Sequence, residues 1–356
     1  MGRFARLRAV ALAVAAAACA ACGDPVVVIG DQLAVMRIVA GIADTAAPRV
    51  DTLATATALV APRAVTIGAD GVLYIGARER VVSVTSTGRL EVLADGSRCS
   101  GGACLVRVEG LALTGEGRLI VADGGGHRLY ELELATRELR VIAGTGLQSF
   151  TPDGEPAATA SLAGPSGVLV ASDGRILFSE RGAQRIRSIE PDGTLATIVG
   201  PADEGQAVAA PLASPAGIAL AGSVLYIADG GVNRVFAVDL ATGIVETVAG
   251  TGQFGFWGDG GPARLAQLNA PAGVAVSPDG RTLYISDTRN NRVRAVDLAH
   301  GTITTFAGTG SEEFTGNGRP AGETALSSPT GLSTSSHGLL FIAATGHGLV
   351  WRTPVR

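Results

Sequence analysis

The sequence contains no lysine: all 28 basic residues are arginine, against 32 acidic ones, for a net charge of −4. There is no basic field for a phosphodiester backbone, which excludes a nucleic-acid partner. Charged residues make up only 17% and aromatics 4%, yet 47% of the chain is hydrophobic, too much for a disordered polypeptide. No run reaches the roughly 18 consecutive apolar residues of a membrane-spanning helix. The four histidines, at 127, 300, 337 and 347, are scattered, so no metal site and no cofactor is expected. No nucleophile–base pair stands out either. What is abundant is glycine, 50 of 356 residues, about twice the usual share. The chain is also longer than the roughly 250–300 residues at which single cores stop growing, so two domains, a closed barrel or a repeat array is required.

The amino terminus reads as an export signal. Arg3, Arg6 and Arg8 precede the apolar run from Ala9 to Ala18, followed by Cys19-Ala20-Ala21-Cys22-Gly23-Asp24. Small residues directly before a cysteine resemble the lipobox of bacterial lipoproteins. That resemblance implies cleavage before Cys22 and lipidation of its thiol, with Cys19 as the alternative and unlipidated cleavage nearby as a third reading. Several acyl chains on one residue anchor where a single chain does not. Residues 1–22 are then a signal peptide, 23–35 a short tether and 36–356 the folded body, held in the bacterial cell envelope on its periplasmic or surface side. Cys99 and Cys104, spaced C-S-G-G-A-C, are expected to form a small loop disulfide in that oxidising compartment.

Internal repetition decides the architecture. P-S-G-V-L-V-A-S-D-G-R-I-L-F-S-E from Pro165, P-A-G-I-A-L-A-G-S-V-L-Y-I-A-D from Pro215 and P-A-G-V-A-V-S-P-D-G-R-T-L-Y-I-S-D from Pro271 are one unit written three times. Looser copies start at Pro62, Val108 and Pro329, and successive third residues are separated by 46, 57, 50, 56 and 58 positions. Each unit shows three short β-rich segments broken by turn residues such as Asp173-Gly174 and Asp279-Gly280, and a fourth segment such as I-V-E-T-V-A-G ending at Gly250. The sixth unit runs out at Arg356 without its fourth strand, whereas Met36 to Gly41 carries a fourth-strand signature with no unit before it. The predicted fold is therefore all-β: a six-bladed propeller of four-stranded antiparallel blades, closed by the N-terminal strand completing the last blade.

The repeats resemble those of NHL-repeat proteins, P-x-G-(hydrophobic), then L-Y-(hydrophobic)-A-D, then N-x-R-(hydrophobic). Leu225-Tyr226-Ile227-Ala228-Asp229 with Asn233-Arg234-Val235, Leu283-Tyr284-Ile285-Ser286-Asp287 with Asn291-Arg292-Val293, and Ile120-Val121-Ala122-Asp123 with His127-Arg128-Leu129 carry the resemblance, which covers residues 36–356. It implies a six-bladed propeller, a fold that hosts binding modules, lactonases and lyases alike.

Asp123 and Arg128, Glu180 and Arg185, Asp229 and Arg234, and Asp287 and Arg292 recur five apart, which marks them as structural. Each acid is expected to pair with its arginine across the hairpin or to accept loop amides. Ala77 and Ala344 interrupt the series in the first and sixth units.

Propeller topology gathers the long connections on one face, the usual place for recognition. They form a second repeat: Asp153, Asp203, Asp259 and Asn317 each stand 12 residues before a unit's first proline, and Phe150, Phe256 and Phe314 each stand three before that Asp or Asn. Phe254 and Trp257 occur in one connection alone. Arg63 and Glu109 also depart from the repeat, replacing the small residues Ser166, Ala216, Ala272 and Thr330; they are expected to form an inter-blade ion pair or contact a polar ligand. The expected function is a non-catalytic, monomeric, lipid-anchored scaffold presenting this face to a protein, peptide or glycan, touching the membrane through its lipid alone. The alternative is a metal-dependent propeller enzyme of lactonase or amidating-lyase type.

Overall fold

Every Pro-x-Gly unit opens an inner strand at the residue the repeat predicts. The computed structural model describes residues 35–41, 52–97, 104–201 and 207–355. Blade one comprises Pro62–Ile67, Leu73–Ala77, Arg80–Val84 and Arg89–Asp95; blade two Val108–Leu113, Arg118–Asp123, Arg128–Glu133 and Leu139–Ala143. Blade three comprises Pro165–Val170, Ile176–Glu180, Arg185–Ile189 and Leu195–Gly200; blade four Pro215–Ala221, Val224–Asp229, Arg234–Asp239 and Ile244–Ala249. Blade five comprises Pro271–Val276, Thr282–Asp287, Arg292–Asp297 and Thr302–Ala307, and blade six Pro329–Thr334, Leu339–Ala344 and Leu349–Pro354.

The fourth strand of blade six is Arg37–Ala40, antiparallel to Leu349–Pro354 with Arg37 opposite Arg352 and Ile38 opposite Trp351. The N-terminal strand thus closes the ring. Two short additions were not legible in the repeat. Thr52–Leu53 pairs with the outer strand of blade one, and Val208–Ala209 runs parallel to that of blade three. Residues 1–34, with Cys22 and Cys19, lie outside the described residues, as do Cys99 and Asp203; the lipidation expectation therefore rests on the sequence alone, while Cys104 is disulfide-bonded to a partner outside the described residues.

The core is divided. Second strands are buried on both faces, which is why they read as unbroken apolar runs such as Leu73–Ala77. Six apolar clusters of buried side chains lie among the described residues, one in each seam between neighbouring blades. Val65, Ile75 and Val82 of blade one, for example, meet Phe341, Ala343 and Val350 of blade six. No single oversized core is needed.

Near the axis the blades approach backbone to backbone. A methyl group on Gly273 would fall on the Thr330 carbonyl oxygen of the next blade, and one on Gly331 on that of Arg63. Each seam of the second, fourth and fifth blades also carries a latch. His127, Asn233 and Asn291 sit in the left-handed region (φ 52°, 52° and 53°), and accept the amides of Gly164, Ala270 and Ser328 ahead of the following blade at 3.1, 2.9 and 2.9 Å. Asparagine tolerates that backbone and carries the acceptor the joint needs.

Candidate ligand face and channel mouth

The recurring acids and arginines are register partners, Asp123 opposite Arg128, Glu180 opposite Arg185, Asp229 opposite Arg234 and Asp287 opposite Arg292. The expected hairpin ion pair is nonetheless replaced by other contacts. Asp123 accepts the amides of Val106, Arg107 and Gly126 at 2.7–2.9 Å, and Asp229 those of Ala213, Ser214 and Gly231 over the same range. Arg128, Arg234 and Arg292 instead donate to the carbonyls of Thr145, Thr251 and Thr309 at 2.7–2.8 Å. A short carboxylate reaches the amides converging on it, whereas a long guanidinium swings away to the connection on its blade's edge.

Blades three and five use a different partner. Glu180 accepts the Ala163 amide at 2.6 Å and faces Arg187 at 3.5 Å. Asp287 accepts from Asn269 and Asn290 and faces Arg294 at 3.2 Å. Arg187 and Arg294 are fully buried, and their other ends reach the long connections, Asp153 at 2.8 Å and Asp259 at 2.6 Å. Burial pushes the Glu180 and Asp287 carboxyls up, against the amides and arginines beside them. The four acids are fully buried and turned to these amides and arginines. Blade six replaces the whole device by apolar groups, with Ala344, Leu349 and Trp351 at the corresponding positions.

The phenylalanines of the second repeat hold the connections down. Arg185 lies 4.2 Å over the ring of Phe150 and Arg292 3.8 Å over that of Phe256, while Phe314 packs on His347 and Trp351 at 5.9 and 6.3 Å. Phe254 and Trp257 differ. They are 76% and 66% exposed, but their backbone is fixed: Trp257 accepts the Gln267 amide, and Asn290 donates to the Gly255 carbonyl at 2.7 Å. The result is a pair of exposed aromatics on a pre-set loop.

The channel mouth on this face opens into a cavity of about 410 Å³ among the inner-strand starts. Arg63, Glu109, Arg181 and Arg289 supply its charge. Glu109 is held between two blades, 3.6 Å from Arg63 and 2.6 Å from Arg107. Arg181 and Arg289 were not singled out in the sequence. The signal was present: the residue after the blade acid is Gly124, Gly230 or Thr288 in blades two, four and five, so Arg181 departs from those three, with Arg78 after Ala77 in blade one as its one counterpart. Among the described residues, no three His, Cys, Asp or Glu side chains gather as metal ligands.

The family model described as the teneurin NHL domain matches residues 34–204, and that described as the NHL repeat matches residues 268–295. Six four-stranded blades and these repeats make the chain an NHL-repeat β-propeller protein. Among curated relatives, protein SUPPRESSOR OF QUENCHING 1, chloroplastic, of Arabidopsis thaliana is 29% identical over 199 residues, 52% of this chain and 18% of that protein. NHL repeat-containing protein 2 of Homo sapiens is 26% identical over 270 residues, 64% of this chain and 36% of that one. The chain thus spans well under half the length of either. A protein of unknown function from Bacteroides thetaiotaomicron superposes with a TM-score of 0.70 at 14% identity, covering 91% of this chain and 76% of that one. An auxiliary nutrient binding protein from Bacteroides ovatus gives 0.67 at 16% over 90% and 77%, and a gluconolactonase from Xanthomonas campestris 0.56 at 16% over 84% and 87%. At such identities these likenesses establish the fold.

Proposed function

We propose that this protein is a non-catalytic binding propeller, exported and lipid-anchored through Cys22 in a bacterial cell envelope, which takes a protein, peptide or glycan on its long-loop face. The observation that carries the reading is the exposed pair Phe254 and Trp257 on a hydrogen-bonded loop. Large rigid aromatics are the usual anchors of recognition, and a loop ordered before binding loses little entropy on engagement. The likeness to a nutrient binding protein supports a binding role; the likeness to a gluconolactonase is equally one of fold.

Capture of envelope components on the immobilised chain tests the face. The Phe254→Ala/Trp257→Ala variant is expected to lose captured partners while its melting temperature stays put, because neither side chain belongs to a seam cluster. Unchanged capture refutes the assignment. Turnover of a lactone panel in the presence of divalent metal would replace the scaffold by an enzyme. Palmitate labelling that survives in Cys22→Ala would move or remove the anchor.

A further inference from the structure

Among the described residues, the Arg181 side chain makes no hydrogen bond and no ion pair, although it lines the channel mouth. It follows directly on the second strand of blade three and is set at the channel mouth, lining both the axial cavity of about 410 Å³ and a second recess of about 440 Å³ beside it. Its Nε is buried with no hydrogen-bond acceptor, and among the described residues no carboxylate lies within ion-pair distance of the guanidinium. Burial pulls its pKa below the ordinary arginine value, Arg63 and Arg107 push the same way, and Glu109 and Asp229 oppose them. Arginine nevertheless stays protonated. Glu109 is already engaged by Arg63 and Arg107, and the fourth cation, Arg289, is exposed at the opposite wall of the same cavity.

The axial cavity is therefore lined by three arginines against one glutamate, in a protein whose net charge is −4. A concave site of one sign focuses its field on a counter-ion. Guanidinium forks match oxyanion geometry, and a part-buried fork that faces a cavity without a partner has its bidentate positions free. None of these side chains belongs to the repeat: glycine or threonine stands where Arg181 does in blades two, four and five, so the architecture does not call for the charge.

We propose that the channel mouth binds an oxyanion, the carboxylate or phosphate group of the ligand, with Arg181 as the central fork and Arg63 and Arg289 flanking it. The proposal deepens the binding-propeller reading and rests on it for the choice of face, since the aromatic loop is tied to blade five next to Arg289 through Asn290.

Titration of the full chain with inorganic phosphate, and separately with succinate, is the test. At least one is expected to bind with a dissociation constant in the millimolar range or tighter, weakening with added salt, and the preferred one identifies the group. Arg181→Met should weaken binding by about tenfold or more, equivalent to about 1.4 kcal/mol. Arg181→Lys should recover little of it, because the ammonium lacks the fork. Arg181→Met should at the same time melt no lower than the parent, since it removes a part-buried charge that has no partner. Glu109→Gln should tighten binding. Arg175→Gln, the same change of charge at a hairpin on the opposite face, should leave it unaltered.

Absence of binding by the parent, or binding that Arg181→Met and Arg175→Gln reduce alike, overturns the proposal. So does an Arg181→Met variant that melts lower with its anion affinity intact, which would make the side chain structural. Failure of the aromatic face appears separately: it abolishes the effect of Trp257 on envelope capture and leaves the phosphate and succinate titrations untouched.

Discussion

Replacing Arg294 by methionine isolates one buried charge. Its guanidinium is fully enclosed, 2.6 Å from the part-exposed Asp259 and 3.2 Å from the fully buried Asp287. Without it Asp287 keeps the Asn269 amide and the Asn290 side chain and loses its countercharge. Breaking a buried pair costs about 3–5 kcal/mol, and those two remaining donors put the expected loss near the lower end. At roughly 2–4 °C per kcal/mol for large domains, a loss of about 3 kcal/mol lowers the melting temperature by roughly 6–12 °C. Burial already holds the Asp287 carboxyl above its ordinary value, and removal of the arginine raises it further. A carboxyl raised in the folded state favours folding at low pH, and that contribution disappears as pH rises through the folded-state pKa. The deficit of Arg294→Met is therefore expected to be small below about pH 3, where Asp287 is neutral in both states, and to grow towards neutrality.

Blade six shows what repairs it, since Ala344, Leu349 and Trp351 occupy the matching positions together. Asp287→Ala/Arg294→Met should accordingly recover most of the lost stability, because a buried pair removed whole is far less costly than one removed by half. Thermal melts at several pH values, arranged as a double-mutant cycle, provide the check. Equal destabilisation of single and double variants without pH dependence would refute the charge argument in favour of packing alone.

Three further outcomes follow from the seams and the axis. Burial lowers the pKa of His127, with Arg107 adding to the effect and Asp123 opposing it. A base lowered in this way contributes stability that is present above its unfolded pKa and lost as pH falls through the folded one. His127→Asn, which copies Asn233 and Asn291, should keep the parent melting temperature at pH 8 and exceed it near pH 5; a lower value at both pH values refutes the shared latch. Gly273→Ala should cost about 1–3 kcal/mol by chemical denaturation, because the added methyl meets the Thr330 carbonyl; an unchanged midpoint would contradict the close approach. Removing the chain through Ala40 should uncover Trp351 and a free strand edge, giving a lower melting temperature and self-association in gel filtration. A monomer of unchanged stability would show the closing strand to be dispensable.

The blades were legible because proline and glycine mark one physical event, the start of an inner strand that must pass close to its neighbour. The vacancy at the end of blade six was legible because strands come in fours. Thr52–Leu53 and Val208–Ala209 were not, since two residues carry no period. The hairpin acids read as scaffold, and of the two partners the sequence offers them the amides prevail over the arginine opposite: residues opposite in register compete with every amide a folding connection brings near, and register is silent on which wins. The R-x-R spacing of Arg185 with Arg187 and of Arg292 with Arg294 was readable and marks the two blades in which a buried arginine ties strand to connection. Arg181 is harder to read than Arg63 and Glu109 because the residue after the proline is only one place among several where a repeat can be broken.

Arg37 lies directly opposite Arg352, so the first and last strands of the ring are already neighbours. Every seam has a cluster of its own, and the seam joining sequence-distant blades six and one is packed like the rest. The order in which the blades are encoded is thus a matter of convenience to the gene rather than to the folded ring. A short peptide bridging Pro354 to Met36, with new ends opened at the Asp279-Gly280 hairpin on the far face, would give a circular permutant that begins within blade five and builds the same six blades.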